Sequence, residues 1–423
     1  MTRPTRRLVL VVRADPVICG HSGEARNLAE AALDQGFDDV RIITWPLDRL
    51  IESELPLKPL DSISPYREGI TVERPEPVGN YKILDGRYLA GLTGRLFELF
   101  TDGVPTVCMS LYLTPHAVAV DDALRAAHRS GLPVRVVTIA EAVGSDITNV
   151  VRNCIESGRY GAAAHLLTTY LANDLCVAVS EYTRDLIVSE AALLDADHGT
   201  DFAEQCRRKV QISYPAIHAA QFTDLDPQDT HDALEARGLS RRGYVLFLSR
   251  LSLAKGVDDL IEGFARSAAA ERVRLVVAGN GPEAPRLREL AAESPVADRV
   301  VFLDDVSDEE KPHLMAGCAA FVLPSKPVPE FVETFGIALA ESMLAGGGPV
   351  ITTTTGGIGE AVGDCALFIG VEDPDGIAAA LDHAVLVMTD AERADLADRA
   401  LRHALQFDRT AVYERLIARI PAP

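Results

Sequence analysis

Two carboxylates, Glu333 and Glu341, stand eight positions apart around Thr334-Phe-Gly336 and the Ala-rich apolar run that starts at Ile337. Thr334 is a good N-cap for a helix there, with the short strand-like run Ala319-Ala-Phe-Val-Leu323 and the closing Pro324-Ser325 before it. A carboxylate is thus delivered where a helix begins, and the amides of Phe335, Gly336 and Ile337 lack intrahelical partners and would face an anion. On one continuous helix the two acids would lie roughly 12 Å apart along its axis. That is too far to share a proton. It suits hydroxyls at the two ends of an extended ligand with an anion between them, as in a nucleotide diphosphate sugar. The plain alternative is that acids at a helix start only favour its macrodipole.

Positioning these residues requires strands alternating with helices, and the pattern supplies them twice. In the second half, Tyr244-Val-Leu-Phe-Leu-Ser249 reads as a strand, Arg250 to Gly256 as a loop and Val257 to Ala270 as an amphipathic helix. Arg274 to Ala278 leads to Gly279-Asn-Gly-Pro282, Arg299 to Leu303 to Asp304-Asp-Val306, and Pro349 to Thr353 to the turn Gly356-Gly357. In the first half, Leu8-Val-Leu-Val-Val12 precedes a loop from Asp15 to Gly23 and a helix from Glu24 to Leu33. Gly20 and Gly23 could let amides approach an anion, or serve only packing.

Strands at 40–44, 106–111, 134–139, 175–179 and 211–217 complete a parallel sheet, with ligands expected at the carboxyl ends of its strands. His116 and Glu141 follow or end such strands and are acceptor-side candidates, with a structural role for each as the alternative. Residues 45–91, rich in Pro and charge and holding Tyr66, Arg67, Arg74, Tyr81, Lys82, Asp85, Arg87 and Tyr88, read as a long functional or surface loop whose role stays open.

The expected architecture is α/β: two doubly wound Rossmann-like domains facing across a cleft. The N-terminal domain spans 1–220, the linker 221–235 and the C-terminal domain 236–404; a helix in 405–423 rejoins the N-terminal domain. Asp224-Leu-Asp226 has the D-x-D spacing of a metal site but falls in the linker, so a solvated role is expected and no metal.

A net charge of −21 excludes nucleic acid as a favoured partner and weakens the case for an anionic membrane surface. No apolar run reaches the ~18 residues of a membrane span, and the N-terminus lacks the pattern of a secretory signal, so a cytoplasmic location is expected. Seven scattered cysteines without a C-x-x-C pair read as reduced thiols.

The stretches "SRLSLAKGVDDLIEGF", "VVAGNGPE", "VVFLDDV" and "PSKPVPEFVETFGIALAESMLAGGGPVI", spread over Gly243 to Ala366, resemble the retaining nucleotide-sugar glycosyltransferases of GT-B fold, family four (group 1). "GHSGEARNLAEAAL" and "VAVSEYTRDLI" match more loosely. The resemblance implies that Arg250 and Lys255 hold the donor diphosphate and that Glu333 holds sugar hydroxyls. It gives the amides of Phe335 to Ile337 the sugar and phosphate, Thr334 a place beside them, and Glu341 the ribose. Gly23 offers an amide to the diphosphate, and the base lies near Asn280-Gly281 and Asp304 to Val306.

It further implies a metal-independent hexosyltransferase without a cofactor, moving a sugar such as glucose, N-acetylglucosamine or an amino sugar, with UDP favoured as carrier. The acceptor is expected to be a small polar molecule, and the acidic surface favours an aminoglycoside or aminocyclitol precursor in antibiotic biosynthesis. Rivals are a transferase acting on a lipid-linked or polysaccharide acceptor, a nucleotide-sugar epimerase, and a non-catalytic nucleotide-sugar-binding protein. Departures from the family pattern are the insert Lys326-Pro-Val-Pro-Glu-Phe-Val332, whose Glu330 could replace or assist Glu333, and Ser213-Tyr-Pro-Ala-Ile217 where a small-residue turn and Asn-Gly are usual. Donor, base, acceptor, regiochemistry and oligomeric state stay open.

Overall fold

The computed structural model describes residues 6–13, 20–52, 65–79, 84–329 and 331–420. Its chain divides into two compact units, with crossings at Ala216 to Ile217 and at Asp408 to Arg409. Each unit is built on a parallel sheet whose central strands are buried and whose edge strands are only partly so, as expected when helices cover both faces.

The first unit holds a seven-stranded sheet of β1 (Arg7–Val12), β2 (Asp39–Ile43), β3 (Ile70–Glu73), β4 (Thr106–Leu111), β5 (Val136–Ala142), β6 (Leu175–Ala178) and β7 (Val210–Ile212), in the order β3-β2-β1-β4-β5-β6-β7. Six of its residues in a row, Arg7 to Val12, are buried in β1, the fully covered central strand that a continuous apolar run predicts. The order reverses between β1 and β4, and that is where ligands of such sheets sit, outside the carboxyl ends. The helix Gly20–Asp34 follows β1 and packs its Ala25, Leu28, Ala29 and Ala32 onto the sheet.

The final helix, Arg409–Ile417, belongs to this unit. Val412, Tyr413 and Leu416 join the core beside Phe37, Arg409 pairs with Glu30, and Gln35 Nε2 donates to Glu414 Oε1 at 3.1 Å. The chain therefore returns to its first unit by a helix with an apolar face.

Residues 45–91 depart from the single loop expected. They contain the helix Leu47–Glu52, the edge strand β3 and the start of the helix Leu84–Thr101. β3 escaped notice because it is four residues long and not buried; it is held by Glu73, which accepts from both Arg41 and Arg95. Trp45 packs against Tyr88 at 5.0 Å between ring centroids, so these aromatics serve the core. Tyr81 and Lys82 and the side chain of Asp85 lie outside the described residues.

The second unit holds a six-stranded sheet of β8 (Tyr244–Leu248), β9 (Arg274–Ala278), β10 (Val300–Leu303), β11 (Ala320–Leu323), β12 (Val350–Thr352) and β13 (Leu367–Phe368), in the order β10-β9-β8-β11-β12-β13. The reversal here falls between β8 and β11.

Residues 221–235, expected as a linker, are helical parts of this unit: Ala220–Thr223 and Pro227–Ala236. Asp226 caps the second, accepting from Gln228 N at 2.6 Å, and Asp224 accepts from Thr223 Oγ1 at 2.7 Å. A capping Asp followed by Pro at the first helical position is a helix start, and the polar composition of an exposed helix face hid it. Residues 405–408 likewise close the second unit, where Ile217 N donates to Phe407 O at 2.9 Å.

Candidate functional site

The loops that follow β8 and β11 meet at the reversal in the second unit. After β8 the chain passes Arg250 and makes one short turn of helix, Leu253–Lys255, that ends on Gly256 at φ +66°. A Cβ on Gly256 would sit 2.1 Å from the Pro324 carbonyl oxygen, so only glycine allows this loop to press against the end of β11. The result is an ion pair between Lys255 Nζ and Glu333 Oε2, with both residues 8% exposed. The Phe331 ring lies 5.3 Å from the ammonium.

The backbone of Glu333 is held as tightly. Gly357 N donates to its carbonyl at 2.9 Å, and a Cβ on Gly356 would stand 1.9 Å from the same oxygen. The Gly356-Gly357 turn, read from sequence only as a turn, is therefore part of the site's frame.

The helix begins later than expected. It spans Ile337–Ala345 with Gly336 as N-cap at φ +94°, and Thr334 caps nothing. The reason is local: Gly336 can adopt the left-handed conformation at the bend, and Thr334, two residues earlier, still lies in the incoming segment. Glu341 is thus in the helix and Glu333 outside it, so the 12 Å axial separation does not apply. Among the described residues no acceptor faces the amides of Gly336 and Ile337, leaving them free for an anion. Phe335 is buried against Phe407, ring centroids 4.9 Å apart, and so anchors the turn.

Glu341 is mostly buried and pairs with Lys311 Nζ at 2.6 Å. Lys311 was not singled out from the sequence, where thirty positions of separation conceal the pairing. Arg250 is half-buried, and among the described residues its guanidinium has no hydrogen bond or ion pair. Asn280 Nδ2 donates to the Asp304 carbonyl at 2.6 Å, tying the loops after β9 and β10 together. A Cβ on Gly281 would come 2.2 Å from Leu251 O, so that loop packs onto the one carrying Arg250. Val306 is half-buried in the loop after β10. Glu330 lies outside the described residues.

The first unit gathers a second polar group at the carboxyl ends of β1, β4 and β5. His116 is fully buried, with Nδ1 3.3 Å from the Leu111 carbonyl and, among the described residues, no partner for Nε2. A ring nitrogen facing a carbonyl carries the proton, so Nε2 presents a lone pair. Burial holds this imidazole neutral, its pKa pushed down to about 3, with Arg13 adding to the effect.

Glu141 is also fully buried, and among the described residues neither carboxyl oxygen has a partner. Burial, then the charges of Glu24 and Asp146, push it well above the usual carboxylate range. Glu24 is itself pushed up to about 8 by burial. Asp146 accepts from the amides of Leu113 at 3.1 Å and Gly144 at 2.9 Å, which fixes the loops after β4 and β5. Asp146 ends the stretch Glu141 to Asp146 that the sequence places at the strand ends, whereas Glu24 was missed, since a Glu inside an amphipathic helix gives no sign of burial. Gly23 lies in the first turn of its helix, and no atom comes within 4 Å of where its Cβ would be. Residues 15–19 lie outside the described chain, as does Cys19; the six described cysteines are buried free thiols.

Residues 234–401 match the model of the family Glycosyl transferases group 1. The second unit belongs to that family, and the fold of the two units is of the GT-B type. Two curated relatives show the same class. A D-inositol 3-phosphate glycosyltransferase of Stackebrandtia nassauensis is 37% identical over 47% of this chain and 45% of its own. An alpha-D-kanosaminyltransferase of Streptomyces kanamyceticus is 32% identical over 36% of this chain and 40% of its own. The chain thus spans about half the length, or less, of these relatives. The structure of Anabaena HepE in complex with UDP-glucose is similar over 97% of this chain and 98% of that one, with a TM-score of 0.69 and 17% identity, a likeness of fold. No described helix is long and apolar enough to cross a membrane.

Proposed function

We propose that the protein is a retaining, metal-independent glycosyltransferase that moves a hexose-type sugar from a nucleotide diphosphate, UDP by preference, to a hydroxyl of a small polar acceptor. The observation that carries this reading is Lys255 held against Glu333 at the sheet reversal, just before a helix whose first amides have no partner among the described residues. Lys255 and Arg250 take the diphosphate, the amides of Gly336 and Ile337 its oxygens, Glu333 the sugar hydroxyls and Glu341 the ribose. Thr334 and Phe335 shape the turn, Asn280, Gly281 and Val306 take the base, and Gly23 offers an amide to the diphosphate.

As the glycosidic bond breaks, its electron pair goes to the diphosphate oxygen, and the two cations offset the charge that develops there. The acceptor oxygen bonds to the anomeric carbon on the same face, and its proton passes to that phosphate oxygen. In the first unit, the Nε2 lone pair of His116 and the carboxyl of Glu141 are assigned to the acceptor. The inositol-phosphate relative supports a cyclitol-type acceptor, and the kanosaminyltransferase relative supports an amino sugar as the transferred group. A cytoplasmic location fits such a reaction.

A thermal-shift panel of nucleoside diphosphates and nucleotide sugars, followed by mass spectrometry with aminocyclitols, tests the reading. A shift with a nucleoside diphosphate and a product heavier by one hexose are expected. No shift with any of them would overturn it. Binding without transfer to any acceptor would leave a donor-binding protein, and a changed sugar formed without acceptor would indicate an epimerase.

A further inference from the structure

The insert that begins at Lys326 has no part in the reading above, yet it sits against the loop that carries Arg250 and Lys255. Lys326 is 7% exposed. Its amide donates to the Ala254 carbonyl at 2.9 Å, next to Lys255. Its ammonium lies 3.0 Å from Asp258 Oδ1 and 2.9 Å from Asp259 Oδ2, both in the first turn of the helix Val257–Arg266. Ser325, just before it, accepts from Thr353 Oγ1 at 2.7 Å through its carbonyl. At the far end of the insert Phe331 lies over Lys255, and Val328 and Phe331 exchange backbone hydrogen bonds at 3.0 and 3.1 Å. One short segment therefore touches the loops after β8 and β12 as well as its own strand.

The charges make the position informative. Asp258 and Asp259 are adjacent carboxylates three and four residues after Lys255, in the first turn of the helix that follows the loop, where their charge would oppose a diphosphate held by that loop. Asp258 also has Arg286 Nη2 at 3.1 Å, whereas among the described residues Asp259 has a single ion pair, with Lys326. Burial and the Asp258 charge push the Asp259 carboxyl up, and Lys326 acts against that.

We propose that Lys326 is a positioning residue for the donor: it pins the Arg250 to Gly256 loop through Ala254 and neutralises Asp258 and Asp259 beside the diphosphate site. The proposal rests on the reading of the second unit as a donor site. It acts through Lys255 and Arg250, with Lys326 itself in no contact with the donor.

The test is calorimetric titration of the full-length protein with the nucleoside diphosphate that gives the largest thermal shift. Lys326→Met is expected to weaken binding at least ~10-fold, close to 1.4 kcal/mol. Lys326→Arg should restore most of the affinity, and Lys326→Met/Asp259→Asn should recover part of it by removing the unpaired acid. Wild-type affinity in Lys326→Met would overturn the proposal, even if its melting temperature fell, because that outcome describes a purely structural bridge. Failure of Lys326→Met/Asp259→Asn to recover any affinity would overturn the charge role. If the wild-type protein binds no nucleoside diphosphate, the donor-site reading fails first, and the two failures are told apart by that control.

Discussion

Lys255→Met removes one cation and strands another residue's charge, so its effect must be read in two parts. With a donor phosphate oxygen about 4 Å from the Lys255 ammonium, the cation contributes up to about 4 kcal/mol at an effective dielectric of 20, or about a thousandfold in rate. The same substitution leaves the Glu333 carboxylate, 8% exposed, without its partner, and breaking a buried pair costs about 3–5 kcal/mol of stability. Loss of activity in the single variant could therefore report unfolding. Lys255→Met/Glu333→Gln separates the two, since a neutral amide needs no counter-charge and the fold should recover much of its melting temperature while transfer stays lost. The assay is single-turnover cleavage of the nucleotide sugar at saturating acceptor, beside melting curves of both variants. A folded Lys255→Met protein retaining transfer within tenfold of wild type would refute the phosphate role of this residue.

Three further outcomes are expected. Glu341→Ala should weaken binding of the free nucleoside diphosphate in calorimetry by about tenfold, as a lost hydrogen-bonded charge would; unchanged affinity would show that Glu341 serves Lys311 alone. Gly256→Ala should lower the melting temperature by an amount equivalent to at least ~1–3 kcal/mol, because the residue has φ +66° and its Cβ would collide with the Pro324 carbonyl. Glu24 binds its proton more tightly in the folded chain, with a pKa about 8 against 4.5, so its share of stability is full below about pH 4.5 and is lost as pH rises through about 8. Glu24→Gln should therefore flatten the fall in melting temperature between pH 5 and pH 8, and an unchanged slope would refute the assignment.

The alternation of apolar strands with amphipathic helices made both Rossmann-like units legible, because buried parallel strands are written as continuous hydrophobic runs wherever they occur. Lys255, Glu333 and the free amides near Ile337 were legible for a related reason: glycines, acids and cations at set distances from a strand end carry local conformational information. The edge strand β3, the helices in 220–236 and the helix start at Gly336 were not, since their polar composition resembles that of loops and caps compete within a few residues.

Only the tertiary structure decided which charges meet. Lys255 reaches Glu333 across 78 positions, Lys326 reaches Asp258 across 68, and Lys311 reaches Glu341 across 30. Likewise, His116 and Glu141 were candidates by their places at strand ends, but their burial, and that of Glu24, depends on what other segments are laid over a side chain. Residue type and spacing determine what chemistry a loop can offer. The partner each charge finds, and the water it loses, are set when the sheet brings distant loops to the same edge.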